Sequence, residues 1–269
     1  MVLPGEQVHV FLILSAIAFL FGCVVGSFLN VVILRFPKGE SIVRPPSHCP
    51  HCGIRIRSYD NIPVLSYLIL RGRCRECGER ISLRYPFVEF VTGCLTLVLF
   101  LKYGISPAFA IFFLFCCAMV VVFAIDLDHM IIPDVISLNG IAIGIISCQL
   151  GLVPGMDWKA SLLGTFVGGA VLYIPAAIYE RIRGIEGLGG GDIKLLAMIG
   201  SFIGTEGVLF VLFLSSLIGS ITALIGVAVK GSGATTPIPF GPFLTAAAVA
   251  YVFFGDEVVG FFYSIPVLF

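Results

Sequence analysis

The apolar run from Val8 to Leu34 exceeds the roughly 20 residues that a helix needs to cross a bilayer. Seven more apolar stretches follow: Pro86 to Leu101, Pro107 to Ile125, Pro133 to Leu150, Ala160 to Tyr179, Ile193 to Ile203, Gly207 to Val229 and Gly241 to Phe254. In lipid the backbone has to bond to itself, and helices do this within each segment. Charged residues are only 12% of the chain, about half the share usual in soluble domains, and the mean hydropathy is +1.08. The expected fold is an all-α polytopic membrane protein with about eight transmembrane helices. The sixth stretch is about a turn short of a usual span, which tilt or local thinning accommodates, and the terminal stretch from Val258 to Phe269 is too short to span reliably. No repeat of 20 to 50 residues is evident.

Sixteen basic and sixteen acidic residues cancel, so net charge identifies no partner, and no nucleic-acid partner is expected. The distribution is more informative. Ten of the sixteen Lys and Arg lie between Arg35 and Arg84. The first apolar run is too long for a signal-peptide core, follows a segment without Lys or Arg, and precedes Arg35 and Lys38. It reads as an uncleaved span with its N-terminus outside. Counted from there, 35–84, 126–132, 180–192 and 230–240 fall on one side. With Lys194 this side holds fourteen of the sixteen cations, leaving Lys102 and Lys159 opposite. That side is expected to be cytoplasmic, in a multi-pass protein of the bacterial inner membrane with lipid as a partner. The expected organisation is a first helix over 1–35, a cytoplasmic insert over 36–85 and a transmembrane bundle over 86–269.

The insert carries Cys49-Pro-His-Cys52-Gly and Cys74-Arg-Glu-Cys77-Gly, two C-x-x-C-G knuckles at a spacing suited to one four-thiolate zinc site. Disulfides are disfavoured on a cytoplasmic face. Cys49, Cys52, Cys74 and Cys77 already close a tetrahedron, although His48 and His51 are adjacent and able to replace a ligand. A closed site has no vacancy for substrate, so the metal is expected to be structural, in an insert too small for a core of its own. No H-E-x-x-H motif is present.

Two acidic motifs flank apolar stretches on the expected cytoplasmic side. The third stretch ends in Asp126-Leu-Asp128, followed by Pro133-Asp134, and the sixth begins after Gly187-Leu-Gly189-Gly190-Gly191-Asp192-Ile-Lys194. Charge at a helix end is inexpensive, which suffices for Asp128 and Asp134; Asp126 lies closest to the span and is the costliest of the three. Asp192 also suits a helix N-cap. Together Asp126 and Asp192 supply what aspartyl proteolysis requires. One carboxylate takes a proton from attacking water, and a protonated partner donates to the forming oxyanion. Helix polarity favours the neutral form at Asp126, on a helix C-terminus, and the charged form at Asp192, on an N-terminus.

In this order the motifs resemble the bacterial type IV prepilin peptidases, or leader peptidase/N-methyltransferases. The similarity starts at Gly26-Ser-Phe-Leu-Asn30-Val-Val-Ile-Leu-Arg35-Phe-Pro37 and continues through the knuckles and Arg84-Tyr-Pro-Phe-Val-Glu89. It then takes in the acidic run 126–134, the G-x-G-D-x-K run 189–194 and Pro239-Phe-Gly-Pro242-Phe. The resemblance implies catalytic Asp126 and Asp192. It also implies cleavage of a short basic leader after Gly, before the apolar helix of type IV prepilins or pseudopilins of pilus and type II secretion systems. Members with the cysteine insert are typically bifunctional, so it further implies N-methylation of the new N-terminus with S-adenosylmethionine. No Rossmann-like glycine fingerprint marks where that donor binds. Two other readings are a presenilin-like intramembrane protease, which shares Gly-x-Gly-Asp, and a proton- or cation-coupled transporter. The cysteine insert argues against the first. Acids gathered on one face, rather than at the bilayer midplane, argue against the second.

Overall fold

The computed structural model describes residues 4–184, 189–230 and 238–264. Its named elements are all helical: α1 (Pro4–Arg35), α2 (Leu65–Ile69), α3 (Arg84–Tyr103), α4 (Pro107–His129), α5 (Asp134–Gln149), α6 (Trp158–Arg183), α7 (Gly190–Lys230) and α8 (Gly241–Ser264), with two short 3-10 turns in the insert. Among the described residues six helices are long and apolar enough to cross a membrane: α1, α3, α4, α6, α7 and α8. All eight apolar stretches are helical, though the 16-residue α5 is too short to count among the six. The sixth and seventh stretches, taken together as α7, are two helices that meet at a break at Gly204, where φ 70 and ψ −174 belong to a region open essentially to glycine. The terminal stretch is not a separate helix: its described part continues α8, and residues 265–269 lie outside the described residues.

The chain divides into two compact units, Met1–Val121 and Val122–Phe269. In the first, α1 lies along α3. The contact is a small-residue seam: a Cβ on Gly22 would run into Thr96, and one on Gly26 would stand 2.8 Å from the Glu89 Cα. The buried Asn30 amide donates to the Tyr85 carbonyl at 3.1 Å, joining the Arg35 end of α1 to the Arg84 end of α3.

In the second unit α7 packs against α5, α6 and α8. Lipid gives apolar helices little reason to associate, so close backbone approach and buried hydrogen bonds have to hold them. Gly164 of α6 and Gly200 of α7 meet so closely that a Cβ on either would collide with the other's carbonyl. Nearby, the Ser161 hydroxyl donates to the Ser201 carbonyl at 2.7 Å. Leucine at Gly200 is expected to destabilise the protein by about 1–3 kcal/mol, because the obstacle is backbone rather than a side chain that can move. The thermal midpoint in detergent should fall for Gly200→Leu and hold for Gly260→Leu, where a Cβ meets nothing within 4 Å.

Candidate active site and metal centre

Asp126 occupies the last turn of α4 and is 5% exposed, whereas Asp128 two residues on is exposed. The helix closes just after them: Met130 takes φ 53 and its N–H donates to the Asp126 carbonyl at 2.9 Å. The chain then descends through the buried Ile132 into α5. Ile132 is the hub of the site. A Cβ on Gly191, in the first turn of α7, would come within 3.0 Å of the Ile132 Cβ, and one on Gly241, the first residue of α8, within 3.2 Å of its Cδ1. The C-terminus of α4 and the N-termini of α7 and α8 therefore meet around a single isoleucine.

Both acids face this junction. A Cβ on Gly241 would stand 2.6 Å from Asp126 Oδ2, so the α8 backbone packs directly against this carboxyl. Asp192 is the third residue of α7 rather than its cap. Its Oδ1 is buried with no hydrogen-bond partner among the described residues, and the nearby charge acting on it is that of Asp126. An unpartnered buried carboxyl oxygen beside a second carboxyl is suited to meeting a water or a substrate atom.

Asp134 stands apart from the pair. It opens α5, where Lys194 Nζ donates to both of its carboxylate oxygens at 2.7 and 2.8 Å, tying α5 to α7. Both side chains are substantially exposed, 39% and 55%, so this ion pair orients helices more than it stabilises them. Sequence reasoning named both of its motifs without pairing them. In sequence Gly241 shows only as a glycine between two prolines, and its close approach to Asp126 is visible only in the fold. Valine at Gly241 is expected to displace Asp126 and lower cleavage of a prepilin about 100-fold, with the thermal midpoint little changed; initial rates on purified protein measure it.

The insert folds as two matching knuckles. Cys49 N–H donates to the Ile54 carbonyl at 2.9 Å and Gly53 N–H to the Cys49 carbonyl at 2.9 Å; Cys74 and Gly78 repeat this with Glu79 and Cys74 at 2.8 and 3.0 Å. Gly53 and Gly78 have φ 69 and 71, left-handed values that explain glycine after each cysteine pair. Bridges between His48 and Arg55 and between Arg73 and Arg80 close the two loops.

The sulfurs of Cys49, Cys52, Cys74 and Cys77 lie within 4.8 Å of one another. Cys49 and Cys77 are 3.8 Å apart, too far for a disulfide. Zinc bonded to four sulfurs at about 2.3 Å has tetrahedral edges of about 3.8 Å, so the donor set and its spacing fit zinc. The Cys52 backbone N–H holds the Cys49 thiol down to about 6, as a metal ligand requires. The cluster contains no histidine, and His48 Nδ1 instead lies 3.1 Å from the Pro46 carbonyl. Arg75 and Glu76, between the second cysteine pair, grip the intervening chain. Arg75 bonds Asp60 at 2.6 and 2.9 Å, holding that carboxyl below its ordinary range, and Arg57 reaches Glu76 at 3.3 Å.

Fold and site together outline a class: a multi-pass membrane aspartic peptidase with a separate four-thiol centre. Residues 20–103 match the family model described as Bacterial Peptidase A24 N-terminal domain, and residues 113–224 match Type IV leader peptidase family. The chain belongs to the type IV leader peptidase family. It is 35% identical over 261 residues to the prepilin leader peptidase/N-methyltransferase of Xanthomonas campestris pv. campestris, covering 88% of this chain and 90% of the relative. The namesake of Pseudomonas putida is 35% identical over 265 residues, 90% and 91% of the two chains, and that of Bacillus subtilis 33% over 247 residues, 92% and 97%. No solved structure matches the chain. Membership sets aside the presenilin-like and transporter readings.

Proposed function

We propose that this chain is an aspartic endopeptidase that removes the leader of type IV prepilins or pseudopilins at the cytoplasmic face of the inner membrane, and that it methylates the N-terminus it exposes. The observation that carries the peptidase reading is the convergence of Asp126 and Asp192 on the Ile132–Gly241 junction. Water held between the carboxyls loses a proton to the ionised one as it attacks the scissile carbonyl; the protonated one donates to the oxyanion. Two neighbouring like charges resist simultaneous ionisation, so a single shared proton is the working state. Gly241 packs against the Asp126 carboxyl, while Asp192 Oδ1 is free to take up a proton or a water. The positive-inside distribution supports placing this junction, with the insert, in the cytoplasm.

The names of the relatives support methylation, with S-adenosylmethionine as the donor. Zinc held by Cys49, Cys52, Cys74 and Cys77 would cross-link the two knuckles, and four sulfurs leave it no position for substrate. Mass spectrometry of a prepilin treated with the purified protein, with and without S-adenosylmethionine, tests both activities. Expected are a new N-terminus directly before the apolar helix and, with the donor, an added methyl group. An intact prepilin would overturn the peptidase reading, and an unmethylated product the second activity alone.

A further inference from the structure

Between the knuckles the backbone makes a strained turn. Val64 takes φ 61 and ψ −49, and Leu65 N–H donates to the Pro63 carbonyl at 2.6 Å. This is a γ-turn in its rare positive-φ form, unfavourable for a β-branched residue and stable only where the surroundings impose it. Glu89 imposes it. Its Oε2 accepts the Val64 N–H at 2.8 Å, and the residue is 8% exposed.

That bond fixes the depth of the turn. Glu89 lies five residues inside α3 from Arg84, about 7.5 Å along the helix. It faces Gly26 of α1, nine residues and about 13 Å before the end of that helix at Arg35. Val64 is thus tied below the ends of both helices, beside segments apolar enough to lie in lipid. The residues around it present an apolar face to the outside: Ile62, Leu65, Leu68 and Ile69 are 45%, 52%, 64% and 70% exposed. Arg71 follows at once, and Arg73 and Arg80 stand opposite each other across a bridge, so they leave the same side of that loop. All three are exposed and have no acidic partner among the described residues.

We propose that Ile62–Ile69 is a membrane-interface element, with its apolar face seated at the acyl boundary and Arg71, Arg73 and Arg80 meeting anionic headgroups. Lipid, rather than a soluble partner, is the occupant because the Glu89 bond holds the segment at membrane depth. The pattern of apolar face and flanking cations is what an interface binds. The knuckles flank the element on either side, so it sets their height over the bilayer. The proposal stands apart from the peptidase reading.

The chain's single tryptophan, Trp158, allows a direct test. In a Trp158→Phe background, Leu68→Trp and Ile69→Trp serve as independent reporters, with Glu79→Trp on the second knuckle as reference. Full-length protein is reconstituted into phosphatidylcholine vesicles with and without phosphatidylglycerol. Emission from positions 68 and 69 is expected to be quenched by brominated lipid and shielded from iodide, with the reverse at position 79. Glu89→Ala should raise iodide access at position 68. Arg71→Gln with Arg73→Gln and Arg80→Gln should abolish the deeper seating gained with phosphatidylglycerol. Iodide quenching at 68 and 69 equal to that at 79, in variants of unchanged thermal midpoint, overturns the proposal; so does unchanged quenching in the arginine variant.

Discussion

Asp192→Asn is expected to lower the turnover of a prepilin about a thousandfold, within the range that general acid–base groups contribute, while KM moves by no more than about twofold. The carboxamide keeps the shape of the half-buried side chain near the junction of α4, α7 and α8 but cannot exchange a proton with water as a carboxyl does. Asp126→Asn should do the same. The double variant should fall little below either single one, because the two acids handle one proton between them and their losses do not add. Asp128→Asn and Asp134→Asn should stay within about tenfold of the parent, since the first is exposed and the second orients helices through Lys194. Rates from purified proteins in detergent decide the matter: normal turnover in either Asp126→Asn or Asp192→Asn would end the paired-acid mechanism. The pH profile of the parent yields apparent values for the pair, not for either residue.

Much of this arrangement is legible in the sequence, because a span imposes a length and a composition and a knuckle imposes a glycine. The stretch boundaries fall close to the helices for α1, α3, α4 and α6, and Gly53 and Gly78 take the left-handed conformation that C-x-x-C-G implies. The break at Gly204 divides α7 into two helices between the sixth and seventh stretches, where the apolar runs also part. Asp126, the nearer of the two to its apolar stretch, is also the buried one, whereas Asp128 is exposed.

What eludes a one-dimensional reading is contact across the fold. Helix polarity alone suggested which acid holds the proton, but it treats each acid as a lone helix end. In the structure Gly241 packs against the Asp126 carboxyl, and nothing described reaches Asp192 Oδ1. These local contacts compete with the dipoles, so end polarity does not decide the division of labour. Glu89 is a second case. In sequence it reads either as a candidate for the methyl-donor site or as a charge near a helix start, and its bond to Val64, twenty-five residues away, shows only in the fold.

Removing the metal should have the other large effect. Apparent binding energies of structural zinc are about 10–16 kcal/mol near neutral pH, more than a small insert with few buried side chains recovers by other means. Stripping the metal with a strong chelator, or replacing Cys74 by serine, is expected to abolish one bound zinc per chain and open the insert to trypsin at its exposed arginines, Arg55 and Arg73 among them. The helical signal of the membrane segments should persist. Acid should act in the same direction. Zinc needs thiolates, so protons compete with it for the four sulfurs and binding is lost as protons return on acidification. The Asp60–Arg75 clasp has a lower window: a carboxyl held below its usual value of about 3.9 remains ionised until the pH falls well under 4, so its stabilisation is intact while the thiols reprotonate. Asp60→Asn should therefore leave the pH of zinc release unchanged, whereas Cys74→Ser removes the metal at every pH. Trypsin resistance that survives complete loss of zinc would show that the knuckles hold together without it.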